Sequence, residues 1–372
     1  MNLDFNTEQK ILSASAKDFL TKNCASHVVR EARESAEVYP AALWKSMADM
    51  GWMGIAISER YGGTEGSVQD LTVLIEAMGA ACVPVPFFTT VVVCGTALQL
   101  SSADKLKEKL LPAIAAGELV SSYALIEPGN TYGLNNIQTT AAAVEGGYTL
   151  SGTKLFVEYA QGADYFLTVA NVEGAGLAVF MVDAKSSGIS LKSMPTLDYS
   201  KQCELILDHV SVSNDYLLAI GDEAQSLLNA VEQVSAVAKC AEILGAIQLV
   251  LDISVTYAKD RTQFNQPIGG FQSIQHHCAN MAVDVDSSRY LTGMAAWKVS
   301  QGLTATKEVS MAKSFASKVG VRICKLGHQI HGAISFCDEH DMHLFLRKSQ
   351  AASMAFGDPE YHAEKVAQEL GL

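Results

Sequence analysis

The chain has 372 residues, of which 49 % are hydrophobic and 18 % are charged, and its formal net charge is −13. A chain of this length and apolar content can bury one large core or several packed domains, and its few charges exclude a disordered protein. The acidic balance disfavours nucleic acid and anionic membranes, so we expect an anionic ligand to be bound by local cations or helix N-termini.

The first third of the chain, residues 1–120, has a helical pattern. Apolar residues recur at intervals of three and four from Thr7 onward, and Asn6 precedes them as a candidate cap. The segments "YPAALWKSMADMGW" and "SVQDLTVLIEAMGAACVPVP" give two more helices, which Gly51 and Pro84 end. We therefore expect an N-terminal helical domain over residues 1–120.

The pattern changes to a period of two over residues 121–220. Runs such as "DYFLTVANV", "LAVFMVDA" and "ELILDHVSVS" alternate or are continuously apolar, and turn residues separate them. Gly146 and Gly147 are a favourable hairpin turn between two of these runs. The sequence predicts a middle β domain over residues 121–220.

Long helices return over residues 221–372. The stretches from Asp222 to Thr262, from Phe271 to Gln301 and from Thr304 to about His331 contain no proline. Helices this long with apolar residues on most faces are typical of a bundle that is also buried against other domains or subunits. The fold class predicted from the three zones is therefore α+β.

Familiar nucleotide, protease and hydrolase motifs are missing, since G-x-G-x-x-G, the P-loop pattern, H-E-x-x-H and G-x-S-x-G do not occur. The segment "FCDEHDMH" places His340 and His343 three residues apart, which is a ligand-like spacing on a helix. Acidic residues at a helix start also complement the helix dipole, and we favour that interpretation over a metal site.

Five segments in chain order carry a resemblance to a known family. They are "MGWMGIAISERYGG", "ALIEPG", "LSGTKLFVEYAQGADYFLTVA", "YAKDRTQFNQPIGGFQSIQHHCANMA" and "QIHGAISFCDEHDMHLFLRKSQA". Together they resemble the acyl-CoA dehydrogenase family, nearly from end to end. The resemblance implies an N-terminal helical domain, a middle β-barrel domain and a C-terminal four-helix bundle, with FAD as cofactor.

The break between the first two long C-terminal helices resembles the family's binding segment for the nucleotide tail of FAD, commonly the FAD of a neighbouring subunit. The tail contacts that the resemblance implies are Arg261, Gln263, Phe264, Gln272, Gln329 and Gly332. The planar fork of donors on Arg261 suits a pyrophosphate, and Phe264 offers an apolar face to adenine. Taken singly, Arg261 would instead form a salt bridge at a helix end, and Gln272 would be solvated.

A second set of contacts is implied beside the isoalloxazine ring. Backbone amides around Leu125, Glu127 and Val157 are suited to hold the flavin, and Phe156 stands where the family often has tryptophan. Glu158 falls where relatives place a small hydroxyl residue near flavin N5. A carboxylate there would disfavour the anionic reduced flavin unless it is protonated or points away.

The catalytic base of the family has no obvious counterpart. By the resemblance, Phe356 and Ser235 occupy the two positions where relatives carry a glutamate. Glu242 lies two turns beyond Ser235 on the same helix face, and it is either a functional carboxylate or a member of a buried ion pair. Asp358 follows Phe356 closely, and it is either the base or a turn residue before Pro359.

The resemblance implies α,β-dehydrogenation of an acyl-CoA thioester by α-proton abstraction and β-hydride transfer to flavin N5. It also implies a homo-oligomer, or a hetero-oligomer with a paralogous subunit, and electron-transferring flavoprotein as the electron acceptor. Two alternatives stay open. One is a non-catalytic or half-site partner subunit of a heteromeric dehydrogenase, and the other is a base-less flavin enzyme similar to desulfinases.

Cysteine usage and the N-terminus bear on the compartment. The eight cysteines are scattered without a C-x-x-C pair, which is typical of a reducing compartment. The segment "MNLDFNTEQK" lacks the basic and apolar regions of an export signal, and no uninterrupted apolar run approaches about 20 residues. We therefore predict a cytoplasmic protein that does not span a membrane.

Overall fold

A computed structural model of the chain describes residues 3–129, 132–134 and 136–372. Its N-terminal helices are α1 (Thr7–Asn23), α2 (Ser26–Glu34), α3 (Ala41–Asp49), α4 (Val68–Ala80), α5 (Thr96–Leu100) and α6 (Asp104–Ala115). The predicted cap is confirmed, because the side chains of Asn6 and Gln9 each accept a hydrogen bond from the other's backbone N–H. A π-helical segment, Phe88–Gly95, runs directly into α5.

The middle of the chain forms one mixed sheet. Its strands are β1 (Ser121–Ala124), β2 (Thr140–Val144), β3 (Gly147–Glu158), β4 (Tyr165–Val172), β5 (Gly176–Asp183), β6 (Ile189–Met194), β7 (Gln202–Ser213) and β8 (Leu217–Ile220). The order is β6-β7-β3-β2-β4-β5-β8, and β1 pairs in parallel with β4. The predicted hairpin is confirmed, since β2 and β3 pair antiparallel around Gly146, whose φ is 81°.

The C-terminal helices are α7 (Asp222–Asp260), α8 (Gln272–Ser300), α9 (Thr306–His331), α10 (Met342–Met354) and α11 (Pro359–Glu369). Among the described residues, α7 is the one helix long and apolar enough to cross a membrane by length and composition. In this structure 78 % of its most apolar window is buried inside the protein, as in the central helix of a bundle.

Contacts divide the chain into two compact units. The first contains Met1–Arg30, Val68–Val83 and Ala236–Leu372, and the second contains Glu31–Ser67 and Pro84–Ser235. The first unit has an apolar core contributed by α7 to α10, whereas the core of the second lies against the sheet. The N-terminal helices are therefore shared between the two units, and the predicted three-domain boundaries at residues 120 and 220 stay a prediction.

Candidate active site

A small β-hairpin occupies the break after α7. Strand β9 (Thr262–Gln263) pairs antiparallel with β10 (Gln266–Pro267). The two turn residues, Phe264 and Asn265, both have left-handed backbone with φ of 53° and 62°. This is the φ pattern of a type I′ turn, which costs more at a phenylalanine than at an asparagine. The Phe264 ring is 87 % exposed at the tip of the hairpin, so an apolar group is held in solvent on a strained backbone.

Unpaired donors lie at the base of this hairpin. The Arg261 side chain is exposed and has no hydrogen bond or ion pair among the described residues. Helix α8 begins at Gln272 without a side-chain cap from Phe271 and without an acidic residue in its first turn. Its first amides and its dipole therefore favour an anion, and Arg261 supplies a guanidinium. Arg261, Gln272 and the exposed amide of Gln263 together fit a pyrophosphate.

The second predicted tail segment lies at the end of α9. Gln329 is exposed in the last turn, and Gly332 follows with φ 69° and ψ −148°, a conformation that only glycine adopts readily. A methyl group built on Gly332 would meet nothing within 4 Å, so the backbone there is open to a ligand. This open glycine fits the close approach of a cofactor.

A ring stack brings the two tail segments together. The rings of Tyr257, one turn before Arg261, and His331, next to Gly332, lie 4.4 Å apart and are inclined by 25°. The Tyr257 hydroxyl also donates to the backbone O of His331 at 3.5 Å. Two stretches that are more than 60 residues apart in the sequence are thus placed side by side within the first unit.

Ser335 closes the turn that follows Gly332. Its hydroxyl donates to the Gly332 O at 2.7 Å and lies 2.8 Å from Nδ1 of His328. Burial, and then the neighbouring imidazoles, lower the pKa of His328, which favours the neutral ring. Ser335 is therefore a buried structural residue.

The acidic segment before α10 is held by an arginine. Arg30 donates to the backbone O of Asp338 and Glu339, both at 3.0 Å, and to the Asp341 carboxylate at 2.6 Å. His343 lies 3.2 Å from the Asp338 O. Within the described ranges, no group of three or more His, Cys, Asp or Glu side chains is arranged to hold a metal ion.

The residues predicted beside the flavin ring lie at the ends of β1 and β3 in the second unit. The buried Lys154 ammonium donates to the Leu125 O at 3.3 Å and to the Glu127 carboxylate at 2.6 Å. Burial lowers the pKa of Lys154 to about 8, although the hydrogen bond and the charge of Glu127 oppose this shift. The pair fixes the segment that follows β1 against β3.

The remaining ring contacts differ in what they offer. Val157 is completely buried in the sheet core, so only its backbone is available to a ligand. Phe156 is 48 % exposed and has φ 57°, which again combines an apolar surface with a left-handed backbone. The backbone O of Glu158 accepts from Ser122 at 2.6 Å, and its carboxyl lies at the end of the strand.

Glu242 does not have the environment of a general base. Its carboxylate lies 2.7 Å from the Lys239 ammonium and 3.3 Å from that of Lys348. Burial alone would raise its pKa, but the two lysines lower the pKa of Glu242 to about 2. A base for an α-proton needs a shift in the opposite direction. The structure therefore favours the buried ion pair over the predicted catalytic role.

Asp358 acts as the N-cap of α11. Its carboxylate accepts from the backbone N–H of Tyr361 at 2.7 Å, and Pro359 follows as the first helical residue. The structural interpretation of Asp358 is thus observed, and this bond uses one carboxylate oxygen.

The turn before Asp358 is held by two side chains that the sequence analysis missed. Phe356 and Gly357 are both left-handed, with φ of 55° and 98°. The fully buried Lys313 donates to the Gly357 O at 2.8 Å, and Nε2 of His362 lies 2.8 Å from the Phe356 O. The run "MAKSFASK" gives no sign that this lysine is buried, because a lysine on an amphipathic helix is usually solvated.

Comparisons with known proteins agree along the whole chain. Three family models match in order, for the N-terminal, middle and C-terminal domains of acyl-CoA dehydrogenase, over residues 6–118, 122–210 and 232–371. The chain is 28 % identical over 382 residues to the probable acyl-CoA dehydrogenase YngJ of Bacillus subtilis (strain 168), and the alignment covers 100 % of both proteins.

Two solved structures have a similar fold. One is the ChsE4-ChsE5 complex from Mycobacterium tuberculosis, with a TM-score of 0.91 at 25 % identity over 100 % of this chain and 99 % of that chain. The other is PigA with FAD and proline, with a TM-score of 0.94 at 23 % identity over 100 % of both chains. The likeness therefore extends over the full length of the compared chains.

Proposed function

Because the chain belongs to the acyl-CoA dehydrogenase family and its cofactor is FAD, we propose that it catalyses α,β-dehydrogenation of an acyl-CoA thioester. Bound FAD supplies the acceptor for the hydride that leaves the β carbon. The observation that carries this proposal is the Tyr257–His331 stack, which joins the two segments suited to the dinucleotide tail.

The tail-binding residues divide the work by chemistry. Arg261 and the N-terminus of α8 bind the pyrophosphate through a guanidinium and unpaired amides. Phe264 covers the adenine with an apolar face, while Gln263 and Gln272 offer uncharged hydrogen bonds. Gln329, in the last turn of α9, provides a side-chain amide, and Gly332, which follows that helix, provides an open backbone.

The ends of β1 and β3 orient the flavin ring. The Lys154–Glu127 pair fixes the segment around Leu125, so its backbone groups are held in place for a ligand. Phe156 offers an aromatic face, and Val157 contributes its backbone only. A charged Glu158 carboxylate beside the ring would disfavour the anionic reduced flavin. The Glu158 carboxyl must therefore be protonated or turned away when that form of the flavin is present.

Asp358 is the remaining candidate for the base among the two predicted carboxylates. It follows the Phe356–Gly357 turn, and its carboxylate keeps one oxygen outside the bond to Tyr361. In the proposed reaction, this carboxylate removes the α-proton of the thioester. The Asp358→Asn variant tests the role, because asparagine also caps helices but accepts no proton. We expect at least a hundredfold loss of turnover with unchanged flavin content, and unchanged turnover would remove Asp358 from the mechanism.

An anaerobic titration tests the proposed activity. The purified protein should carry bound flavin, and its visible absorption should bleach when a suitable acyl-CoA is added from a panel of straight, branched and cyclic thioesters. Reoxidation by electron-transferring flavoprotein would identify the acceptor that we propose. A protein that binds flavin fully but is bleached by no member of the panel would contradict the dehydrogenase proposal.

A partner subunit is the second candidate function. Both predicted carboxylates have structural partners, Glu242 with two lysines and Asp358 with a helix N-terminus. The similar ChsE4-ChsE5 structure is by its title a complex of two named components. If this chain completes the site of a paralogue, it should be unreactive alone and should raise the flavin content and turnover of that paralogue on mixing. A base-less, desulfinase-like enzyme would instead turn over a sulfinate without a partner.

A further inference from the structure

The turn that precedes α11 is held by two buried side chains. Phe356, Gly357 and Asp358 form this turn, which we call the α10–α11 turn. Lys313 of α9 donates to the Gly357 O at 2.8 Å, and Nε2 of His362 in α11 lies 2.8 Å from the Phe356 O. Two successive carbonyl groups of the turn are therefore bound by donors from two different helices.

The imidazole of His362 is itself oriented by α9. Its Nδ1 lies 3.2 Å from Oγ of Ser310. Burial lowers the pKa of His362 to about 4, so the ring is neutral at pH 7 and carries one proton. Because the Phe356 O can only accept a hydrogen bond, that proton lies on Nε2, and Nδ1 accepts from the Ser310 hydroxyl. Ser310 therefore fixes both the tautomer and the direction of the ring.

The same ring occupies the space beside Gly357. His362 is only 1 % exposed, and a methyl group built on Gly357 would lie 2.6 Å from its Nε2. Carbon and nitrogen atoms that are not hydrogen-bonded pack at about 3.5–4.0 Å, so no side chain fits there. The imidazole thus both binds the turn and packs against it, and a change in the ring must move the turn.

The direction of the Asp358 carboxylate depends on this turn. On its C-terminal side, Ser314 Oγ donates to the Pro359 O at 2.9 Å, and the Asp358 carboxylate accepts from the Tyr361 N–H at 2.7 Å. On its N-terminal side, the backbone is fixed by the bonds to the α10–α11 turn. The second carboxylate oxygen can therefore hold one direction only while the bond from His362 persists.

We propose that His362, oriented by Ser310, is a positioning residue that directs the Asp358 carboxylate towards the α-proton of the thioester. The inference rests on the proposed function, in which Asp358 removes that proton. His362 acts through the Phe356 O and touches no substrate in this role. Its effect can still be large, because a displacement of about 1 Å in a reacting group can reduce the rate on the order of a hundredfold.

Release of deuterium measures the removal of the α-proton directly. The probes are hexanoyl-CoA, 3-methylbutanoyl-CoA and cyclohexanecarbonyl-CoA with deuterium at the α carbon. They are incubated anaerobically with the flavin-loaded protein, and the deuterium lost to water is followed by mass spectrometry. A deuteron that the base removes exchanges with water whether or not a hydride then leaves for the flavin. Calorimetric titration gives the affinity for each thioester, and visible absorption gives flavin content and bleaching.

Two amide side chains distinguish the two nitrogen atoms of the ring. Glutamine can place an N–H near the position of Nε2, whereas asparagine reaches only the position of Nδ1. His362→Gln should therefore release deuterium within about threefold of the wild-type rate, and His362→Asn should be at least about tenfold slower. Thioester affinity and flavin content should stay constant in both. His27→Asn, at an exposed position on α2, is the matched control and should leave the rate unchanged.

Ser310→Ala tests whether the serine acts through the ring. It should slow deuterium release about threefold in the wild type but not further in His362→Asn, where the bond to the Phe356 O is already lost. Equal rates for His362→Gln and His362→Asn, or additive effects of Ser310→Ala and His362→Asn, would overturn the inference. So would a wild type that releases no deuterium.

The two proposals fail in different ways. Deuterium release that depends on His362 in a protein that is never bleached would reject dehydrogenation and leave the positioning role standing. Bleaching at the same rate in the wild type, His362→Gln and His362→Asn would reject the positioning role and leave dehydrogenation standing. A lower free energy of unfolding in His362→Asn, with an unchanged rate per flavin-loaded molecule, would show that the residue only stabilises the fold.

Discussion

Lys313 is a single buried charge that organises the turn before α11. Its ammonium group donates to Ser317 Oγ, to the Ser353 O at the end of α10 and to the Gly357 O, at 2.8–3.0 Å. Burial lowers the pKa of Lys313 to about 8, although the nearby Asp358 carboxylate opposes this shift. Since this pKa is still above 7, Lys313 keeps its charge at neutral pH. The three bonds offset the cost of burying the charge and fix a turn with two left-handed residues.

The Lys313→Met variant should loosen this turn. Methionine has a similar volume but no donors, so two backbone carbonyls and one hydroxyl lose their partner. We expect a loss of about 2–3 kcal/mol in the free energy of unfolding. If the turn positions substrate, the KM for acyl-CoA should rise while flavin content stays constant. Urea unfolding, flavin absorption and steady-state kinetics measure these effects, and an unchanged free energy of unfolding would show that the bonds contribute nothing.

Arg261 gives a second prediction for a single residue. Its guanidinium has no partner among the described residues, so removing it costs the folded protein nothing that the structure shows. Arg261→Ala should therefore keep the free energy of unfolding of the flavin-free protein but lower the flavin content several-fold. Arg261→Lys keeps the charge without the planar fork. Its flavin content should therefore lie between those of the wild type and the alanine variant. Full flavin retention in the alanine variant would reject the pyrophosphate assignment.

The long helices were predictable from the sequence, whereas the details that shape the site were not. Helices α7, α8 and α9 follow from long proline-free runs with apolar residues on most faces, and the hairpin between β2 and β3 follows from two glycines. The β9–β10 hairpin was missed because its strands have two residues each and its turn places Phe264 where glycine or asparagine is expected. A signal of alternating hydrophobicity cannot arise in so short a strand.

Side-chain environments were the least predictable feature. The sequence leaves Glu242 open as a base or as a member of an ion pair. Its contacts with Lys239, three residues earlier, and with Lys348 of α10, more than 100 residues later, decide for the ion pair. Lys313 and His362 likewise act on a turn that is distant in the sequence.

The ion pairs of Glu242 connect α7 with α10 and should make stability depend on pH. The pKa of Glu242 is lowered from its usual 4.5 to about 2 in the folded protein. The ionised Glu242 therefore contributes on the order of 3 kcal/mol to the free energy of unfolding above pH 4.5, and this contribution is lost as the pH falls towards 2. Glu242→Gln removes the negative charge that pairs with Lys239 and Lys348, and it should lower the free energy of unfolding by about 3 kcal/mol at pH 7.

Urea unfolding at several pH values tests this prediction. The difference in free energy of unfolding between the wild type and Glu242→Gln should shrink as the pH is lowered from 5 towards 2. The exposed Glu369, near the end of α11, gives a matched control, and Glu369→Gln should have an effect below about 0.5 kcal/mol at every pH. A difference that does not change with pH would show that the charge of Glu242 is not the source of the stability.

At the scale of the whole molecule, the predicted cofactor contacts fall into two sets. The tail contacts, from Arg261 to Gly332, belong to the first unit, and the ring contacts, from Leu125 to Glu158, belong to the second. The tail segments lie at the ends of helices α7, α8 and α9, whereas the ring segments lie at the ends of strands β1 and β3. Each unit has its own core, so the structure of each set depends on the packing of its own unit.

Phe264 links cofactor binding to assembly in the last prediction. An 87 % exposed phenylalanine on a left-handed backbone is unfavourable for the isolated chain, and it becomes favourable if an adenine or a second subunit covers the ring. Phe264→Asn removes the ring and suits the backbone better, so the isolated chain should be equally or slightly more stable.

If the hairpin binds the FAD of a neighbouring subunit, the variant should lose flavin and dissociate at higher protein concentration than the wild type. Sedimentation velocity that follows protein and flavin absorption measures both effects, with Leu372→Asn, which replaces another exposed hydrophobic residue, as the control. Loss of flavin without a change in association would confine Phe264 to a cofactor contact within one chain, whereas no change in either would leave its exposure unexplained by the cofactor.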